Sequence, residues 1–191
     1  MDIYINDETK IITIQQRWKF SWQNDPGTAI WTEGEKVNIG RRIKKVIHRS
    51  WDNVFPIKVN GTSQFAVKHA KHNFKIKIDL VFTTNRPHWN VKVIKIMKTF
   101  WLKSYANWYD RYLEINTGNF KKRKLPSGEK QRAIDHEFGH LLLNDDEHVI
   151  DTEFYDDKSS MLNNGMVIRR RHFDHIISKL NQMIPNTNFY I

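Results

Sequence analysis

A chain of 191 residues with 39% hydrophobic residues, 7 Trp, 11 Phe and 6 Tyr has enough apolar bulk for one globular core, which excludes a disordered chain. It contains no cysteine, so disulfides, thiolate metal sites and a cysteine nucleophile are excluded, and any metal must be held by imidazole and carboxylate. The net charge of +10 is drawn partly from Arg41, Arg42, Lys44 and Lys45, from Lys121 to Lys124 and from Arg169 to Arg171; it favours acidic partners, but no nucleic-acid motif accompanies it.

In chain order, Lys10 to Phe20 reads as a strand that ends in the turn signal Asn24-Asp25-Pro26-Gly27. From Glu35 to about Asn53, Ile39, Ile43, Val46, Ile47 and Trp51 recur at three or four while the basic residues take the other faces, which predicts an amphipathic helix. Phe55 to Val59, Phe74 to Thr83 and Trp89 to Met97 read as strands, the last two by clear alternation. Trp101 to Ile115 suits a helical face at Trp101, Leu102, Tyr105 and Trp108, yet a strand over 108–116 is favoured. After a loop at Gly118 to Gly128, Ser127 is the expected N-cap of a helix over 129–142, with Glu129 in its first turn and Ile134, Phe138, Leu141 and Leu142 on its apolar side. A turn at Asn163-Asn164-Gly165 and a last helix from about Arg171 to Met183 complete a single domain over 1–191. Its sheet and backing helix lie in about 1–128, and the last two helices with the turn between them lie in about 129–191. No stretch is apolar for long enough to span a membrane, and Met-Asp-Ile-Tyr-Ile-Asn lacks a signal-peptide pattern, so export would need another route or a removed leader.

The chemistry lies in His136-Glu137-Phe138-Gly139-His140. Residues four apart on a helix share a face, so both imidazoles reach one zinc ion, and Glu137, about 100° round the axis, stands beside the metal as a general base. With 9 His and 8 Glu in the chain, chance yields about 0.02 such matches. A catalytic site needs a third protein ligand, and Asp145, Asp146, Glu147 and His148 follow the helix. Asp146, ten residues after His136, is the choice, because a sharp turn would swing it back to the metal. Asp145 and Glu147 are expected to be solvated loop carboxylates.

His136 to His140 followed by Asp146 resembles the metzincin pattern of zinc peptidases in its variant with an aspartate ligand. With Asp146-Glu147, Ser160-Met161, Asn164-Gly165 and Arg171-His172-Phe173, the chain is similar to bacterial metzincin-like peptidase domains found in toxins and secretion-system effectors. The resemblance implies an α+β, metzincin-like fold: a mixed twisted sheet, a backing helix, an active-site helix, a Met-turn and a C-terminal helix. It implies a zinc endopeptidase with His136, His140 and Asp146 as ligands, Glu137 as base and Met161 as the Met-turn residue below the zinc site. It also implies a protein or peptide substrate, a secreted or injected setting, and room for an inhibitor or immunity protein as a partner. Where the pattern has Gly, this chain has Leu143, so Asn144 is expected to supply the positive-φ turn; His148 is the reserve ligand and His172 an accessory residue. Substrate is expected to add as a strand along Trp89 to Met97. The alternatives are a zinc amidase acting on cell-wall peptide and a zinc-binding interaction module without activity.

Overall fold

The computed structural model describes residues 1–97 and 104–191, and it is an α+β fold built on a mixed sheet. Two strands open the chain: β1 (Asp2–Asn6) turns back antiparallel onto β2 (Ile11–Asn24). Ile12, Ile14 and Trp18 on one face of β2 are fully buried, as the period-two pattern requires. Helix α1 (Glu33–Trp51) begins at a capping box, in which Thr32 and Glu35 satisfy each other's backbone N–H groups, and buries Ile39, Ile43, Ile47 and Trp51. It is followed by β3 (Pro56–Gly61), the short α2 (Gln64–His69), β4 (Phe74–Phe82) and β5 (Trp89–Lys95).

Beyond lie β6 (Tyr105–Asn107), β7 (Tyr112–Asn116), and a hairpin of β8 (Arg123–Lys124) with β9 (Lys130–Gln131). Then come α3 (Ala133–Leu141), a 3-10 turn over Arg170–Phe173, α4 (Asp174–Met183) and β10 (Thr187–Tyr190). The main sheet runs β10-β3-β4-β2-β5-β7-β6, with β1 beside β2. Strands β4, β2, β5 and β7 are parallel; β3 and then β10 extend the sheet antiparallel on one side, and among the described residues antiparallel β6 closes the other. Phe138 of α3 packs between Trp51 of α1, at 5.5 Å, and Trp18 of β2, at 6.4 Å, so α1 and the sheet together seat α3.

Four expectations are corrected. Trp89 to Met97 is no edge: β5 lies between β2 and β7, and the flank of the sheet on that side is β6. Ser127 does not cap α3, and Glu129 is not in its first turn, because Lys130 and Gln131 pair with the strand before them and hold the backbone extended until Arg132. The strand expected over 108–116 is shortened to β7 by a turn at 108–111, with β6 ahead of that turn. The helical alternative there rested partly on Trp101 and Leu102, which lie outside the described residues. Among the described residues no helix is long and apolar enough to cross a membrane.

Candidate metal centre

Helix α3 carries His136 and His140 one turn apart, with ring centroids 4.8 Å from each other. Each ring is oriented from behind by a backbone carbonyl: His136 Nδ1 donates to Met161 O and His140 Nδ1 to Asn144 O, both at 2.8 Å. A carbonyl only accepts, so each Nδ1 holds the ring proton and each Nε2 turns a lone pair inward. The two Nε2 atoms stand 3.2 Å apart, and Asp146 Oδ1 is 3.2 Å from the first and 3.3 Å from the second.

Three lone-pair atoms that close together demand a positive charge among them. A triangle of this size is also one face of a tetrahedron whose centre is about 2.0 Å from each corner, the ordinary distance from zinc to nitrogen and oxygen ligands. The donor set therefore fits a four-coordinate metal with three protein ligands and an open corner. Burial raises the Asp146 carboxyl, but the neighbouring His136 and His140 imidazoles outweigh it and hold the group well below the usual carboxylate range. Burial likewise opposes a charge on His140, and the Asp146 carboxylate overrides it and raises the imidazole pKa.

His148 is the fourth candidate donor. Its Nδ1 is 3.1 Å from Asp146 Oδ1, and ligand atoms of His136, Asp146 and His148 all lie within 4.8 Å of one another, so this trio too could hold a metal ion. The set with His140 is the tighter one, since its atoms are evenly spaced, and the half-exposed His148 ring stands on the solvent side. Glu137 is buried and faces the same cleft, of about 430 Å³, as the three ligand candidates. Across that cleft lie Tyr105 and Ala106 of β6.

The chain reverses at the end of α3 on Leu143, whose φ is 74°, so the left-handed residue is Leu143 itself and not Asn144. Asn144 serves differently: its side-chain amide donates to Gly139 O and to His172 O, each at 3.0 Å, and ties the end of α3 to the 3-10 turn ahead of α4. Met161 is fully buried and meets His136 through its carbonyl. Its turn is closed by Met161 N donating to Val167 O and Gly165 N to Ser160 O. Gln131 donates to Met161 O and Asn163 O at 3.1 and 2.9 Å and so locks that turn against α3.

Glu147 is buried, against the expectation of a solvated carboxylate, while Asp145 is exposed. Arg171 clamps Glu147 through Nε at 2.6 Å and Nη2 at 2.9 Å, and reaches Asp157 at 2.8 Å. Burial raises the Glu147 carboxyl, but bonds from His172, Arg171 and Ser160 dominate and take it down to about 2. His172 is buried away from the cleft; its Nδ1 accepts from Arg169 N and its Nε2 lies 3.2 Å from Glu147 Oε1. His172 thus supports the loop that carries Asp146 without facing the metal position. Gln131, Asn144, Glu147 and Arg171 are the supporting residues that sequence reasoning missed. No protein-family model matches the chain, and neither does any curated protein or solved structure.

Proposed function

We propose that the chain is a zinc-dependent endopeptidase of metzincin type, with His136, His140 and Asp146 as ligands and Glu137 as general base. The observation that carries this reading is the triangle of three inward lone-pair atoms at 3.2 to 3.3 Å with a buried glutamate opening on the same cleft. A bound zinc ion would lower the pKa of its water towards about 7 and polarise the scissile carbonyl. Glu137 takes the proton of the attacking water and passes it to the leaving amine. The carbonyls of Met161 and Asn144 hold both imidazoles in the tautomer that ligation needs. An extended peptide lies along β6, which lines the cleft and is the last strand of the sheet on that side among the described residues.

The test uses one set of preparations. Wild type and Glu137→Gln should each bind about one zinc per chain by elemental analysis. The Gln variant should turn over a screened peptide substrate at least about a hundredfold more slowly, because the amide cannot accept the proton. His140→Ala should lose the metal. Failure of wild type to take up zinc at micromolar concentration, or near-normal turnover by the Gln variant, would overturn the reading.

A further inference from the structure

A second cleft of about 430 Å³ lies away from the metal centre, between the end of α1 and the start of α3, and its polar lining is cationic: Arg49, Lys122 and Arg132, with Ser50 beside them. Arg132 is extended, immediately after β9, while its neighbour Gln131 faces the metal cleft, so strand alternation turns the two side chains to opposite faces of the hairpin. The Arg132 side chain is only 14% exposed. Its Nη1 is 3.1 Å from Asp135 Oδ2, but its buried Nε has no hydrogen-bond partner among the described residues. A buried guanidinium N–H without an acceptor is costly unless something fills that position.

Arg49 and Lys122 are exposed, and Asp135, whose charged form Arg132 and Lys122 both favour, is the carboxylate beside them, so three cations face one carboxylate. In the same hairpin Lys124 stands directly opposite Lys130, a like-charge cross-strand pair that adds to the positive charge of this region. Met166 and Ile168 add an apolar wall. A carboxylate, with one charge and two oxygens, would leave part of this set unpaired. A phosphoryl group presents up to two charges and at least three acceptor oxygens, which matches a guanidinium edge and two exposed cations.

We infer that this cleft is a binding site for a phosphoryl group, held by Arg132, Lys122 and Arg49, at a place separate from the proposed metal centre. The source is either free phosphate or the head of a larger phosphorylated molecule whose apolar part rests on Met166 and Ile168. The test is titration calorimetry of the full chain in chloride buffer with inorganic phosphate, phenyl phosphate and benzoate as probes. Arg132 is left unchanged because it begins α3; Arg49→Ala and Lys122→Ala are used instead, with Arg41→Ala from the neighbouring basic cluster as control. The expected result is phosphate binding in the millimolar range or tighter, weakened about tenfold by either cleft variant and unaltered in the control. Tighter binding of phenyl phosphate assigns the site to a head group, and equal binding assigns it to free phosphate. No binding, equal affinity for benzoate, or binding indifferent to Arg49 and Lys122, as capture at the metal centre would be, overturns the proposal.

Discussion

Gly139 shows why a position inside α3 carries no side chain: a Cβ built there would meet Leu162 Cδ2 at 2.5 Å and Trp51 at 3.3 Å. The Met161–Leu162 turn thus packs directly on the helix axis, which is how the Met161 carbonyl comes within reach of His136. Gly139→Ala gains helix propensity but must displace Leu162, and the overpacking should win, with a net loss of about 1 to 3 kcal/mol in urea unfolding. A stability equal to or above wild type would mean that Leu162 yields freely. His88 makes a second residue-scale prediction. Burial first, then nearby positive charge including Arg17, lowers its pKa to about 4, against the pull of Asp2. The unfolded imidazole, near 6.5, therefore binds protons that the folded one refuses, so this contribution is complete above pH 6.5 and is lost as pH falls towards about 4. The cause is visible in the bonding, since Arg17 N donates to His88 Nδ1 and a protonated ring would set N–H against N–H. His88→Gln should flatten the stability profile across that window, and an unchanged slope would remove His88 from the account.

Among the elements, the loop that bears Asp146 has little regular structure of its own, and its position is set by Arg171, which joins it to the start of the last helix through Glu147 and to the Met161 side through Asp157. Glu147→Ala should weaken zinc binding about ten- to a hundredfold in a chelator competition, as loss of supporting contacts around a metal does, while the far-ultraviolet circular dichroism stays that of wild type. Lower stability with unaltered zinc affinity would make the network structural only. This is also where the sequence was least legible. His136 and His140 are readable because a helix period brings them together, and β4 and β5 because they alternate; both signals are local. Glu147 and Arg171 are 24 residues apart, and no local pattern links them. The same limit hid the order of the sheet: alternation identifies Trp89 to Lys95 as a strand but does not say that β2 and β7 flank it. The Ser127 cap was overridden by hairpin pairing, and β1, α2 and β10 are too short for periodicity to register.

At the scale of the whole molecule, the region that carries the proposed metal centre and the sheet share one interior. Gln16, fully buried in the middle of β2, donates to Leu141 O at 2.9 Å at the end of α3 and accepts from the Trp18 indole at 3.0 Å. Phe138, from the same helix, fills the space between Trp18 and Trp51. Residues 1–128 alone would expose those two tryptophans and leave the Gln16 amide buried without its acceptor, so that fragment should be unfolded or aggregated when expressed by itself. The intact chain should unfold in one calorimetric transition. Zinc, by binding only the folded state, should raise that transition as a unit: at a free concentration a hundred times its dissociation constant the gain is about 2.7 kcal/mol, or roughly 5 to 10 °C for a chain of this length. A chelator should return it to the metal-free value without splitting it. Two separated transitions, of which only one responds to the chelator, would show that residues 129–191 open independently of the sheet, and the buried Gln16–Leu141 bond would then be too weak to couple them.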